Sequence, residues 1–197
     1  MKTTALPEVL PLARPRWLDF VELTKPRIAL MVLFTVAIGA LLTMPARMEL
    51  LQLVHALVGV ALVASGASAL NQWLERASDA QMRRTENRPL PSGRLSSGEV
   101  LAFGIALSVL GLGYMLATMT HGLAIIVTAI THLRYVFVYT PLKRKTTLNT
   151  LIGAVPGALP PVIGWTAMTG TLDLAAVILF LIVFFWQVPH FLAIAWM

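Results

Sequence analysis

Charge is scarce in this sequence, and cysteine is absent. Only 12% of the 197 residues are charged, whereas 57% are hydrophobic, and the mean hydropathy is +0.78. A soluble domain of this length needs more charge to cover its surface, so the composition indicates the lipid bilayer as solvent. Without cysteine the chain has neither disulfides nor thiolate metal ligands. The first twenty residues lack an apolar core followed by a small-residue cleavage site, unlike a secretory signal peptide.

Long apolar runs fill most of the chain. A helix needs about 20 apolar residues to cross ~30 Å of hydrocarbon. Six runs meet this requirement: 28–44, 51–74, 99–119, 121–139, 150–168 and 174–196. Because backbone groups in lipid must bond within the protein, and these runs are continuous rather than alternating, they predict helices and not a β-barrel. The sequence therefore predicts an all-α, polytopic transmembrane bundle with about six spans.

The net charge of +6 has the distribution of a topology signal and not of a nucleic-acid surface. Basic residues lie before the first span, after the second and after the fourth, and only Arg47 falls in an opposite connection. By the positive-inside rule, the N-terminus and these connections are cytoplasmic in a multi-pass protein of the cell inner membrane. Residues 1–22 are then a cytoplasmic segment, and residues 23–197 form the transmembrane domain.

The longest polar connection begins with three oxygen-bearing side chains in helical register. Asn71, Glu75 and Asp79 are four residues apart, so they share one helix face. Mg²⁺ prefers oxygen ligands and is commonly completed by substrate phosphates. Since ionisable groups at the end of an apolar span tend to be functional, the spacing predicts that these residues hold Mg²⁺ and serve catalysis.

Arginines follow the acidic residues directly. Arg83 continues the same spacing, with Arg84 and Arg88 close behind. The planar guanidinium fork suits phosphate oxygens, so the combined pattern predicts a site for a metal-bound diphosphate. The alternative is a solvated loop whose arginines only set topology. The register of the acidic residues with the span favours the site.

Polar and aromatic residues gather again after the fourth span. Tyr135 and Tyr139 lie one turn apart and suit an aromatic belt at the membrane interface. Lys143, Arg144 and Lys145 are either topology signals or a second set of phosphate contacts, and the residues alone leave both open.

Two later apolar runs carry unusual residues. Three prolines and three glycines within 153–165 require a broken or kinked helix, which lines a cavity or packs closely on a neighbour. We favour the cavity wall. In the last run, Gln187 and His190 flank Pro189, and the aromatics around them, including Trp186, suit a flat or polyprenyl ligand.

Four ordered motifs resemble the UbiA-type intramembrane prenyltransferases. "NQWLERASDAQMRRTENRPLPSG" at 71–93 is similar to their first aspartate-rich motif, in the form found in the protohaem IX farnesyltransferase (haem O synthase) branch. The resemblance extends to "LTKPRI", "YTPLKRKTTLNTLIGAVPGALPPVIGWTAMTG" and "FFWQVPHFLAIAW", and it covers nearly all of 23–197. Glu75, where other branches usually carry Asp, favours the haem branch.

The resemblance implies transfer of a farnesyl group from farnesyl diphosphate to a vinyl group of haem B, followed by addition of water, for haem–copper oxidase biogenesis. Mg²⁺ is the implied cofactor, and oxidase assembly factors are potential partners beside membrane lipid. The implied metal ligands are Asn71, Glu75 and Asp79. The implied diphosphate contacts are Arg83, Arg84, Arg88, Lys143 and Arg144. The implied haem or prenyl pocket is Tyr135, Tyr139, Trp186 and His190.

One departure from the family pattern changes the expectation for this chain. Complete members have about nine spans and a second acidic motif, whereas after Glu99 the sequence has only Asp173 as a carboxylate. We therefore expect an amino-terminal part of a longer enzyme with little activity by itself. Two alternatives stay open: a prenyltransferase acting on an aromatic or quinone precursor, and a membrane protein that binds haem or prenyl lipid without catalysis.

Overall fold

The computed structural model describes residues 15–43, 49–143, 146 and 148–196, with side chains described up to residue 193. Within these ranges the regular structure is helical and no β-strand occurs. The helices are α1 (Arg16–Thr24), α2 (Pro26–Leu41), α3 (Leu50–Asp79), α4 (Ser97–Thr118), α5 (Gly122–Leu133), the π segment (Arg134–Tyr139), α6 (Thr140–Leu142), α7 (Asn149–Ala158), α8 (Pro160–Thr169) and α9 (Leu174–Trp196).

Six stretches of the described chain are long and apolar enough to cross a membrane. Three of them are single helices, α3, α4 and α9, although α9 qualifies over Leu174–Ala193. The other three combine consecutive elements: α1 with α2, α5 through α6, and α7 with α8. These observations confirm the predicted all-α polytopic bundle and its six spans.

The first span differs from the prediction because it begins at Arg16 and contains a break. Lys25 separates α1 from α2 with a φ of 48°, a left-handed conformation that is unfavourable for a residue with a Cβ. Pro26 then starts α2, as expected for a residue with a fixed φ. The predicted domain boundary at residue 22 falls inside α1, and it stays a prediction.

The core lies where α2, α3, α5 and α8 meet, and α4 packs along α3 on the other side. Small residues let two of these helices approach closely. A Cβ at Gly164 in α8 would overlap the Val36 carbonyl, and one at Gly39 in α2 would overlap the Pro161 carbonyl. In the absence of side chains at these points, the two backbones touch, as in small-residue crossings of membrane helices.

The fourth and fifth spans are both irregular. The fifth is broken at Leu159, between the end of α7 and Pro160 at the start of α8, as the prolines predicted. In the fourth, no feature of the sequence predicts the π segment, whose wider turn ends at Thr140. The Thr140 hydroxyl donates to the Tyr135 carbonyl over 2.9 Å. π-helical turns are rare and occur mostly at functional sites.

The basic connections meet at one end of the bundle. Arg94, in the connection after α3, pairs with Asp19 of α1 at 2.9 Å and with Glu22 at 3.5 Å. Ser96 caps α4 through a capping box with Glu99, and Arg16 reaches the same glutamate at 2.6 Å. Ion pairs therefore fix the connection 80–96 over the ends of α1 and α4, beside the end of α3.

Candidate functional site

The three residues predicted to bind metal all lie on the last two turns of α3. Asn71, Glu75 and Asp79 are buried, with 3%, 8% and 4% of their surface exposed. The helix continues to Asp79, so the spacing of four places all three side chains on one face, toward the interior. Buried charged groups require partners, because an isolated ion pays a large desolvation penalty.

Each carboxylate has a cation as its partner. Lys143 Nζ lies 3.3 Å from Glu75 Oε1, and Arg88 Nη1 lies 2.6 Å from Asp79 Oδ2. Both cations come from segments that the sequence predicted to contact diphosphate. The Asp79 carbonyl also accepts a hydrogen bond from the Thr85 hydroxyl, which holds the start of the connection against α3.

Asn71 connects two further elements to the same group. Its Oδ1 accepts from Lys25 Nζ at 3.4 Å, and its Nδ2 donates to Thr140 Oγ1 at 3.1 Å. Neither Lys25 nor Thr140 was predicted as a site residue. A lysine before an apolar span is typical of a membrane anchor, and only the three-dimensional structure brings it to α3. A threonine ending a π segment has no recognisable sequence pattern.

We call Asn71, Glu75, Asp79, Lys25, Arg88 and Lys143 the charged cluster. It contains two carboxylates, and no group of three or more His, Cys, Asp or Glu side chains suited to a metal occurs in the described ranges. Two carboxylates and an amide are oxygen donors of the kind that Mg²⁺ takes, and the ion then needs further ligands from water or phosphate. The residues present therefore fit one side of a magnesium–diphosphate site.

The other predicted phosphate contacts lie apart from the cluster. Arg83 and Arg84 are exposed in the connection after α3, and neither side chain forms an ion pair with a described residue. Arg144, with its neighbour Lys145, lies outside the described residues. The structure thus brings Arg88 and Lys143 to the carboxylates and leaves Arg83 and Arg84 at the surface.

A cavity of about 720 Å³ extends from the charged cluster into the bundle. Lys25 and Lys143 line it at the cluster, and apolar residues of α2, α3 and α8, such as Val32, Val63 and Ile163, line it further inside. Cavities of 300–1,000 Å³ with few polar groups are typical of small-molecule sites. A ligand with an anionic head next to the lysines and an apolar tail among the aliphatic side chains would match this distribution of polar and apolar residues along the cavity.

All four predicted pocket residues line this cavity. Tyr135 and Tyr139 stack with ring centroids 5.6 Å apart. Trp186 and His190 stack in α9 at 4.8 Å, and Trp186 is 61% exposed, so this pair stands at an open side of the cavity. The broken fifth span contributes Gly153, Pro156, Gly157 and Pro160 to the wall. Its second half also packs closely on α2 through Gly164, so the stretch 153–165 both lines the cavity and packs on a neighbouring helix.

A family model matches residues 32–197 of this chain, which include the end of α3, most of the residues that line the cavity, and α9. The chain belongs to the UbiA prenyltransferase family. Among curated members of the family, it is 47% identical to a protoheme IX farnesyltransferase of Solibacter usitatus, over 91% of this chain and 64% of that protein. It is 41% identical to a protoheme IX farnesyltransferase of Opitutus terrae, over 94% of this chain and 62% of that protein. The chain thus spans a little over three-fifths of the length of these relatives.

Solved structures of the family share the fold. A structure of digeranylgeranylglyceryl phosphate synthase superposes with a TM-score of 0.75 at 22% identity, covering 86% of this chain and 58% of that one. A UbiA homologue from Archaeoglobus fulgidus, bound to DMAPP and Mg²⁺, superposes with a TM-score of 0.70 at 19% identity, covering 87% and 62%. UbiA proteins are therefore solved with a prenyl diphosphate and magnesium, and the all-helical arrangement is common to them.

Proposed function

We propose that the protein containing this chain transfers a farnesyl group from farnesyl diphosphate to a vinyl group of haem B, giving haem O. The observation that carries the proposal is the charged cluster, in which each buried carboxylate is paired with a cation and two lysines line an apolar cavity. The names of the relatives supply the acceptor and the length of the prenyl chain.

Asn71, Glu75 and Asp79 are the proposed ligands for Mg²⁺ from this chain, since they are oxygen donors on one buried helix face. When bound, the ion neutralises charge on the diphosphate and makes it a better leaving group. Two carboxylates leave room for phosphate oxygens and water in the coordination sphere. The site is then completed by the substrate and by donors from outside the described residues.

Lys25, Arg88 and Lys143 are the proposed diphosphate contacts, and Arg83, Arg84 and Arg144 are candidates for a further set. Basic side chains stabilise the negative charge that develops as the allylic carbon–oxygen bond breaks, which is the general principle of electrostatic catalysis. The farnesyl chain then occupies the apolar part of the cavity. This removes the allylic cation from bulk water and leaves the vinyl π electrons of the acceptor to attack it.

The acceptor is proposed to enter beside α9. Trp186 and His190 form a stacked, exposed pair at the open side of the cavity, and the stacked rings of Tyr135 and Tyr139 line the same cavity. Aromatic faces suit a planar porphyrin. By the positive-inside rule, the cluster faces the cytoplasm in the cell inner membrane, and the product serves haem–copper oxidases together with their assembly factors.

Membranes containing the protein, supplied with farnesyl diphosphate, Mg²⁺ and haem B, test the proposal. We expect a farnesylated haem by mass spectrometry, together with release of diphosphate. Glu75→Gln should reduce both by at least about 100-fold, because it removes an anionic ligand from the proposed Mg²⁺ site and so weakens the activation of the leaving diphosphate. The matched control Glu86→Gln, in the exposed connection, should leave both unchanged.

Two results would refute this acceptor and this chemistry. Prenylation of a hydroxybenzoate in place of haem B would favour the quinone-precursor alternative. Haem binding without any Mg²⁺-dependent release of diphosphate would favour a non-catalytic binding protein.

A further inference from the structure

Two residues that line the cavity each carry a buried polar atom with no partner among the described residues. The atoms are Ser68 Oγ and His132 Nδ1, on residues that are 8% and 7% exposed. Buried polar groups are nearly always hydrogen-bonded, so two unpaired atoms on residues of one cavity wall favour a polar ligand between them. The proposed chemistry described so far uses neither residue.

The hydrogen-bond network assigns a protonation state to His132. The Val63 backbone carbonyl lies within reach of its imidazole, and since Nδ1 has no partner, the nitrogen placed to donate there is Nε2–H. In the neutral ring Nδ1 then carries a free lone pair. The neighbouring hydroxyls of Thr128 and Thr131 donate to carbonyls of their own helix, which leaves them acceptors only. Ser68 supplies a hydroxyl that can both donate and accept.

The position of this pair relates it to the charged cluster. Ser68 precedes Asn71 by three residues, so it lies about 4.5 Å deeper along α3 at the helical rise of 1.5 Å per residue. Val63, which His132 contacts, lies about 12 Å deeper by the same measure. Ser68 and the Val63 contact of His132 therefore both lie deeper along α3 than the place proposed for the diphosphate.

We propose that Ser68 and His132 hold the water that adds to the prenylated acceptor, and that His132 Nδ1 accepts its proton. This inference rests on the proposed farnesyl transfer. A buried water needs two to four polar partners, and the imidazole lone pair and the serine hydroxyl supply two of them. An otherwise apolar cavity places such a water at one site and excludes others, which protects the allylic cation from hydrolysis.

The proposed addition of water involves the following bonds. The carbon–oxygen bond to the diphosphate breaks with its electron pair on oxygen, and the vinyl π pair forms the new carbon–carbon bond, which leaves a cation on the inner vinyl carbon. An oxygen lone pair of the held water bonds to that carbon, and one water proton passes to Nδ1. Without the water, the cation loses a proton from the adjacent CH₂ to the diphosphate and gives an alkene. The two products differ by one water.

The ratio of these two products tests the inference. His132→Gln places an amide nitrogen near the position of Nε2, so it keeps a donor for Val63 and lacks the Nδ1 acceptor. We expect diphosphate release to continue while the ratio of hydroxylated to alkene product falls roughly 100-fold, the size of a general-base contribution. Ser68→Ala, a small change that is tolerated in a helix, should shift the ratio in the same direction.

His55→Gln is the matched control, because His55 pairs with Tyr114 between α3 and α4 and is not among the cavity residues. Its product ratio should equal that of the unaltered protein. Growth of the alkene in both cavity variants, with oxygen from labelled water in the remaining hydroxyl product, supports the inference. An unchanged ratio in His132→Gln and Ser68→Ala, with normal release of diphosphate, overturns the role of Ser68 and His132 and leaves the proposed function in place. Absence of any farnesylated haem from the unaltered protein overturns the proposed function as well.

Discussion

Single residues decide what the end of α3 can bind, because each buried oxygen there is held by a group from another segment. Glu75 pairs with Lys143, Asp79 with Arg88, and Asn71 with Lys25. Removing one partner of a buried ion pair is strongly destabilising, since the other charge stays buried. The same six side chains therefore serve the fold and the proposed site, and substitutions must be chosen to separate the two roles.

Lys25 allows such a separation. Its φ of 48° is unfavourable for any residue with a Cβ by about 1–2 kcal/mol, whereas glycine adopts it freely. We expect Lys25→Gly and Lys25→Ala both to weaken binding of a prenyl diphosphate, because both lack the amine. In detergent, the free energy of unfolding of Lys25→Gly should be about 1 kcal/mol higher than that of Lys25→Ala. Equal stability of the two variants would contradict the left-handed conformation, and unchanged diphosphate affinity would remove Lys25 from the site.

At the scale of elements, the crossing of α2 over α8 fixes one wall of the cavity. The two helices touch through Gly39 and Gly164, and the obstacle to a side chain is backbone, which cannot rotate away. Close packing of this kind tolerates added volume poorly.

Gly164→Ala should therefore destabilise the bundle by about 1–3 kcal/mol, measured as thermal unfolding in detergent. Gly113→Ala is the matched control, because it lies within α4 and an added Cβ there has nothing within 4 Å. Alanine favours a helix over glycine, so this variant should lose no stability. Equal losses in the two variants would mean that the α2–α8 crossing is looser than the structure shows.

The helical register through the π segment sets which way Lys143 faces. A π turn contains one residue more than an α turn, so deletion of Phe137, which is 64% exposed, should convert the segment to an α-helix and leave Lys143 facing Glu75. One alanine inserted after Phe137 instead rotates the residues that follow by about 100°, the angle per residue of an α-helix. We expect helix content by circular dichroism to persist in both variants, while diphosphate release falls sharply in the insertion variant alone, because Lys143 leaves Glu75. An insertion variant as active as the deletion variant would show that the direction of Lys143 does not matter for the reaction.

For the whole molecule, the arrangement of charge makes the orientation testable. Ion pairs gather α1, the connection 80–96 and Lys143 at one end, and Thr120 lies at the other end, between α4 and α5. The chain contains no cysteine, so a single introduced thiol reports its own side of the membrane.

Glu86→Cys should be protected from a membrane-impermeant maleimide in intact spheroplasts and labelled after lysis, by the positive-inside rule. Thr120→Cys should be labelled in intact spheroplasts. Both positions are exposed, so access to reagent depends on the side of the membrane. The reverse pattern would place the charged cluster on the outer side and contradict the proposed cytoplasmic site.

The sequence predicted those features that depend on local spacing. Asn71, Glu75 and Asp79 share a face because four residues nearly complete a helical turn, and the prolines at 156 and 160 disrupt a helix wherever it packs. Features that depend on which helices meet were not predictable. Lys25 resembles a membrane anchor until α1 and α3 come together. The sequence predicts a pocket role for His190 and none for His132, because only burial reveals the unpaired nitrogen of His132.

The pairing within the charged cluster also has a consequence for the order of events. Lys25, Arg88 and Lys143 carry three positive charges against two negative charges on Glu75 and Asp79. A dication arriving alone is repelled by the surplus and must displace two bound cations, and a diphosphate arriving alone must face two carboxylates. Together they exchange partners without leaving any charge unmatched. We therefore expect Mg²⁺ and the diphosphate to bind the proposed site together, as one complex. The affinity of the site for either one alone should be weaker by orders of magnitude.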